Sequence, residues 1–290
     1  MLAIFTVLAV CSWRSGCRST VRVVTFNIRM FPEPTTDFGR VASTIAELDA
    51  DLLGLQEIAD QSALTEVLAR ASEQTGRSYR AVLSRCRSAT RGITTALAWD
   101  VSRWRLVEHR EYPDLLPDRG VPCGDLQPGL LGIFVGEDGR RIGVLSVHLE
   151  PFPDRFGIRQ EQWRRAIAIQ RAVSDELGAT VILLGDTNST GFMGEPEEER
   201  AFVTELVKKA GFRLLTGELP CSEYWVPEGG RDYLPSLLDH MVVTGGRWGE
   251  PKVIGMCERL ACRVTSPRDM DPDFVRVSDH CPVVVEGSPS

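Results

Sequence analysis

Apolar positions fall into two rhythms along the chain. Short, mainly apolar runs, Val21 to Ile28, Leu52 to Leu55, Leu130 to Val135, Ile142 to Leu149 and Val181 to Leu184, predict strands, the unbroken Val181 to Leu184 one buried on both faces. Thr94 to Trp99 and Trp104 to His109 read as two more strands joined by Asp100-Val101-Ser102-Arg103, and Leu237 to Val243 and Val275 to Glu286 as the last two. Between them the spacing becomes helical: Val41, Ile45 and Leu48; Leu64, Val67, Leu68 and Ala71; and a helix from Arg159 with Trp163, Ala166, Val173 and Leu177 on its buried face, closed by Gly178. A further helix is expected over Glu199 to Ala210. Glu137-Asp138-Gly139-Arg140 carries a hairpin signal, whereas Leu115 to Gln127 and Gly191 to Glu198 read as loops. With 290 residues and 43% hydrophobic content the chain can bury a large core, as one large domain or two small ones.

The polar residues at the ends of the apolar runs carry the chemistry. Val181-Ile182-Leu183-Leu184 ends in Gly185-Asp186-Thr187-Asn188, which delivers a carboxylate and a carboxamide to the end of a buried strand. By itself this could be a turn or a helix cap. The arrangement recurs, however: Asn27 ends the first strand, Glu57 the second and His148 the strand before Pro151, Asp239 lies within the Leu237–Val243 strand, and Asp279-His280 opens the last. Carboxylates near a core are costly unless paired or bound to a cation. Several carboxylates without clustered His or Cys favour a hard cation, Mg²⁺ or Mn²⁺ rather than zinc. Histidines beside them add proton transfer or phosphate stabilisation, the equipment of metal-assisted phosphate-ester hydrolysis.

Composition narrows this only slightly. A net charge of -7 argues against tight non-specific binding to a phosphate backbone. Five arginines between Arg77 and Arg91 form either a basic lip for a polyanion or a solvated surface. Met1 to Val10 is apolar and too short to span a bilayer, resembling a secretory signal or, with Cys11, a lipoprotein leader over residues 1–20. Export to the bacterial envelope or medium is expected, with a mis-assigned start codon or a disordered tail on a cytoplasmic protein as the alternative. Cys86, Cys123, Cys221, Cys257, Cys262 and Cys281 form an even set suited to disulfides, with buried thiols as the alternative; their spacings do not suggest zinc.

The pieces Thr25-Phe26-Asn27, Leu55-Gln56-Glu57, Val147-His148-Leu149, Gly185-Asp186-Thr187-Asn188, Leu238-Asp239-His240 and Ser278-Asp279-His280 resemble, in order, the motifs of the endonuclease/exonuclease/phosphatase superfamily. The resemblance implies a four-layer α/β/β/α sandwich of two packed mixed sheets over residues 21–288, with the active site along one edge. It implies that Glu57 ligates a Mg²⁺ (or Mn²⁺), with Asn27 and Asp279 beside it. Asp186 would orient or deprotonate the attacking water, and Asn188 would hold phosphate or water. His280, its tautomer fixed by Asp239, would stabilise the developing charge, and His148 would bind phosphate or protonate the leaving group. Three departures stand out: Ile93-Thr94-Thr95-Ala96 carries no acid to partner His148, His240 stands where many relatives have Arg, and the Trp-Cys-Asp-Arg run of inositol phosphatases is absent. The expectation is a monomeric phosphodiesterase acting on nucleic acid or a phospholipid head group, with no stable protein partner implied. A phosphomonoesterase and an inactive binding protein on the same fold are the alternatives.

Overall fold

The computed structural model describes residues 20–116, 123, 124, 126–191 and 196–290. The expected leader lies outside these residues, as does part of the expected loop at 115–127. Among the described residues no helix is long and apolar enough to cross a membrane.

In chain order the strands are β1 (Val21–Phe31), β2 (Leu52–Ile58), β3 (Tyr79–Leu83), β4 (Thr94–Asp100), β5 (Trp104–Tyr112), β6 (Gly129–Gly136), β7 (Arg141–His148), β8 (Val181–Asp186), β9 (Arg213–Leu214), β10 (Glu223–Trp225), β11 (Leu234–Ser236), β12 (Asp239–Val243), β13 (Arg247–Trp248), β14 (Lys252–Val253) and β15 (Val283–Ser288). The helices are α1 (Phe38–Leu48), α2 (Gln61–Thr75), α3 (Phe156–Leu177), α4 (Pro196–Lys209), α5 (Met256–Arg259) and α6 (Asp273–Arg276). One large sheet runs β13-β15-β1-β2-β4-β3, with β14 also pairing to β15; the second large sheet runs β5-β6-β7-β8-β12-β9, and β10 and β11 form a small two-stranded sheet. Both large sheets are mixed: β1 and β2 pair in parallel, as do β7 and β8, and the other pairs are antiparallel.

Three apolar layers explain why the central strands carry apolar residues on both faces. Val24, Phe26 and Ile28 of β1 face Val41, Ile45 and Leu48 of α1 and Leu64, Val67 and Leu68 of α2. On the other side of the same strand, Val21 and Val23 meet Val144, Ile182 and Leu184 between the sheets. Val181 and Leu183 then turn outward to Trp163 and Ala166 of α3 and Val203 of α4. With a period of two, each strand feeds two cores, which is the four-layer sandwich.

Local signals close the elements. The Asp37 carboxylate accepts from the Arg40 amide at the start of α1, and Asp60 caps α2 through the Ser62 and Ala63 amides. The third helix begins at Phe156 rather than Arg159, because a 3-10 turn at Pro153–Arg155 runs straight into it. The fourth starts at Pro196, three acidic residues occupying its first turn, rather than at Glu199.

Two strand boundaries also differ from expectation. Asp239 is the first residue of β12 rather than an interior one. The last strand is confined to Val283–Ser288, since Asp273–Arg276 forms a helical turn and Pro282 interrupts the ladder. Asp279-His280 is thus held in the connection before β15.

All six cysteines in the described residues are paired, as Cys86–Cys123, Cys221–Cys262 and Cys257–Cys281. Disulfides, not buried thiols, are the outcome.

Gly185 is the tightest point of the second sheet. Its φ is +144°, and a Cβ there would lie 1.9 Å from the Val147 carbonyl oxygen on neighbouring β7. Gly185→Ala is expected to cost at least about 2 kcal/mol, because it forces β7 and β8 apart at a conformation L-residues avoid. Urea denaturation reads this directly, and an unchanged midpoint would contradict it.

Candidate active site

Sheet topology carries the polar strand ends to one edge. The parallel pairs β1/β2 and β7/β8 bring their C-terminal ends there, with Asn27, Glu57, His148 and Asp186. Antiparallel β12 brings its N-terminal residue, Asp239, opposite Asp186. Antiparallel β15 brings the segment before it, Asp279-His280, to the same edge beside β1. The ladders of β1 with β2 and of β2 with β4 are both irregular near this edge. Such irregularities re-aim side chains. Glu57 and Asn188 have positive φ (63° and 50°), as do Arg29, Met30 and Thr190. Non-glycine residues in this region cost about 1–3 kcal/mol each and gather at functional sites.

Asp186 is the hub. Its Oδ2 accepts from Asn27 Nδ2 at 2.9 Å and its Oδ1 from the Asn188 amide at 2.9 Å. The same Oδ2 lies 3.6 Å from Nε2 of both His148 and His280. A nearly buried carboxylate thus stands between two imidazoles. Behind His280, Nδ1 meets Asp239 Oδ2 at 2.8 Å, an arrangement that points Nε2 toward Asp186. Ser222 Oγ accepts from the Asp239 amide, and Ser278 Oγ accepts from the His280 amide while donating to the Asn27 carbonyl. The dyad is therefore bound into both sheets. Burial opposes the charged form of His280, but the Asp239 and Asp186 carboxylates outweigh it and hold the imidazole well above its usual range.

Across the hub, Glu57 Oε1 lies 3.7 Å from His148 Nε2, and its Oε2 accepts from the Met30 amide at 2.8 Å. His148 Nδ1 is buried with no hydrogen-bond partner among the described residues. Asn188 Nδ2 donates to the Leu149 carbonyl at 3.2 Å. Asp279 lies at the rim, 3.6 Å from Arg29 Nε. Loss of solvent raises its carboxyl above the usual range, His280 and Arg29 oppose the shift, and the charge of Glu57 adds to it. Asn27 is committed on both sides, donating to Asp186 and accepting from the Arg29 amide at 2.9 Å.

Ser222 and Glu223 carried no signal in the sequence, and Ser278 entered only as the first residue of the Ser278-Asp279-His280 motif. Glu223 pairs with His280 in an isolated β-bridge, and its Oε2 is buried with no partner. Burial drives its carboxyl well above the usual range; His280 counters this, and the Asp279, Asp186 and Asp239 charges reinforce it. No local pattern could have flagged it, because its neighbourhood exists only once β10 meets the segment before β15.

His240 serves a different purpose. Thr190 and Thr216 hydroxyls lie 2.9 Å from Nε2 and Nδ1, and burial lowers its pKa to about 4. The unfolded imidazole takes up a proton near pH 6.5, whereas the folded one resists until about 4. Stability is therefore full above the unfolded value and falls through this window, by roughly 3 kcal/mol at its acid end. His240→Gln is expected to shrink the acid loss measured by urea titration at pH 7 and 4.5; an identical acid loss in both proteins would refute this.

The profile of the endonuclease/exonuclease/phosphatase family matches residues 24–280, nearly the whole described chain. The chain belongs to this family. Solved structures carry the same fold at low identity. A humanized D. rerio TDP2 bearing 14 mutations is 17% identical, with 93% of this chain and 99% of that one covered at a TM-score of 0.65. The human Nocturnin catalytic domain with bound sulfate is 16% identical, covering 94% and 96% at 0.63. A mannosyl-6-phosphatase of Bacteroides thetaiotaomicron VPI-5482 is 19% identical, covering 92% and 99% at 0.57. No curated protein matches the sequence. The endonuclease/exonuclease/phosphatase sandwich explains why the edge described above gathers residues so distant in sequence.

Proposed function

We propose that the protein is a Mg²⁺-dependent phosphodiesterase, with Mn²⁺ as an alternative ion. The observation that carries the reading is Asp186 held between two imidazoles, 3.6 Å from each, with the second imidazole backed by Asp239.

The donor set fits a hard cation. Glu57 and Asp279 supply carboxylate oxygens close enough for their charges to interact, and Arg29 Nε lies 3.6 Å from the second. Among the described residues no three His, Cys, Asp or Glu side chains converge as a metal cluster. Magnesium commonly takes one or two carboxylates and completes its shell with water and substrate phosphate, so Glu57 and Asp279 would hold it. Bound there, it would supply Lewis-acid stabilisation of phosphate charge. Asn27, committed to Asp186, acts as a positioning residue rather than a ligand.

In this reading Asp186 takes a proton from water while Asn188 holds water or phosphate in line. The water oxygen bonds to phosphorus as the ester P–O bond breaks. His280, kept cationic by Asp239, stabilises the charge on the phosphorane oxygens. His148 contacts another phosphate oxygen or gives a proton to the departing alkoxide. The three disulfides support an oxidising compartment, and with it the export expected of the leader. The protein is taken to act as a monomer.

The test is hydrolysis of bis(p-nitrophenyl) phosphate with EDTA and after restoring Mg²⁺ or Mn²⁺. Turnover abolished by the chelator and restored by the ion supports the reading. Much faster turnover of p-nitrophenyl phosphate replaces it with a phosphomonoesterase, the activity that the Bacteroides structure's name describes. Metal binding without turnover of any ester leaves an inactive binding protein.

A further inference from the structure

The arginines between Arg77 and Arg91 have separate fates. Arg77 is drawn into the acids Asp49, Asp51 and Asp100. Arg87 donates to the carbonyls of Ala59 and Gly92, fastening its loop beside the end of β2. Of the five, Arg91 alone lines the pocket that opens next to His148. This pocket, about 620 Å³, has an apolar floor of Ile93, Leu116, Leu149 and Ile158. Phe152, 44% exposed, stands at its rim, and Arg155 stacks 4.8 Å over that ring. The nearest carboxylate to Arg155 is Glu150, at 3.7 Å. Arg91 has no acidic partner among the described residues, although the protein as a whole is acidic.

The Arg91 loop is built, not loose. The Cys86–Cys123 disulfide staples it to the segment carrying Gly124, Leu126 and Gln127, which also lines the pocket. The Ala89 amide donates to the Gly124 carbonyl, and Ser88 Oγ accepts from the Arg91 amide. An exposed arginine on a pinned loop, without a counter-charge among the described residues, over an apolar floor and beside a phosphate-cleaving edge, is arranged for an anion joined to an apolar body.

We propose that this pocket receives the ester substituent of the substrate: an apolar body carrying a second phosphate, read by Arg91 and Arg155. This rests on the phosphodiesterase reading and narrows its substrate class. Two bodies share the chemistry, a nucleoside and an alkyl chain.

The experiment compares p-nitrophenyl diesters in matched pairs: thymidine 5′-(p-nitrophenyl phosphate) with and without a 3′-phosphate, and hexyl p-nitrophenyl phosphate with and without a terminal phosphate. The second phosphate is expected to raise kcat/KM about tenfold in at least one pair, and the favoured pair identifies the body. Arg91→Ala and Arg155→Ala should each remove most of that advantage through KM, leaving bis(p-nitrophenyl) phosphate turnover unchanged. Cys86→Ser/Cys123→Ser should weaken the preference in the same way. No advantage in either pair, or one that survives Arg91→Ala, overturns the proposal. Should the wild-type protein hydrolyse no diester, the phosphodiesterase reading fails separately. Calorimetry with thymidine 3′,5′-bisphosphate against thymidine 5′-phosphate then decides the pocket: tighter bisphosphate binding lost in Arg91→Ala supports it, and equal binding refutes it.

Discussion

Asp186→Asn and His280→Ala are each expected to lower kcat for phosphodiester hydrolysis by about a thousandfold or more, with the protein still folded. Asp186 contacts Asn27, Asn188 and both site imidazoles at once. Turning its carboxylate into an amide removes the acceptor for a water proton and leaves an NH₂ group facing Asn27 Nδ2. In the proposed mechanism, loss of His280 removes the cation that stabilises the phosphorane charge.

Asp239→Asn probes the same dyad through pH. With Asp239 in place, the imidazolium survives above its ordinary range, so activity that needs the charge is present at neutral pH and falls only on the alkaline side. Without the carboxylate, that alkaline limb moves to lower pH. The kcat/KM profile is the measurement. A profile unmoved by Asp239→Asn, or a His280→Ala enzyme of wild-type rate, would remove His280 from the chemistry.

Opening the disulfides is the second large effect. Cys281 follows His280 directly and is bonded to Cys257, while Cys221, bonded to Cys262, precedes Ser222. The Ser222 hydroxyl accepts the Asp239 amide, and its carbonyl accepts the Cys281 amide at 2.7 Å. Both bridges therefore end one residue from groups that hold the Asp239–His280 pair. They close loops of moderate length, with sequence separations of 24 and 41, and removing either is expected to cost about 2–5 kcal/mol. Cys257→Ser/Cys281→Ser should lower the urea midpoint and, under conditions where the protein remains folded, reduce kcat more than it raises KM, because the displaced group acts on the transition state. Dithiothreitol on the wild-type protein should reproduce both changes. A reduced protein with unchanged midpoint and kcat would show that the bridges are incidental to the site.

Much of the molecule was legible before folding. A strand between a helix layer and a second sheet buries both faces, so Val181–Leu184 announced itself as an unbroken apolar run and Val21–Ile28 as a β-branched and aromatic one, and Gly185-Asp186 marked where the former stops. Helical spacing at Val41, Ile45 and Leu48 identified the face that α1 presents to its sheet. The ordered polar motifs were enough to resemble a family. Their separation in sequence was not a weakness, because strand ends are local features and each could be read alone.

What only the tertiary structure decided is which of those ends meet, and on what terms. No local rule pairs Asp239 with His280, or turns Asn27 inward to hold Asp186, since these contacts depend on β12 running opposite β8 and on β15 lying beside β1. The arginine-rich stretch looked uniform in sequence; burial beside Asp51 and Asp100 claimed Arg77, carbonyl capping claimed Arg87, and the pocket received Arg91. Glu223 carried no signal at all. A side chain's hydrophobicity and spacing are written in its neighbours along the chain, but its charge state and its partners come from neighbours in space, and those exist only after two sheets have closed on each other.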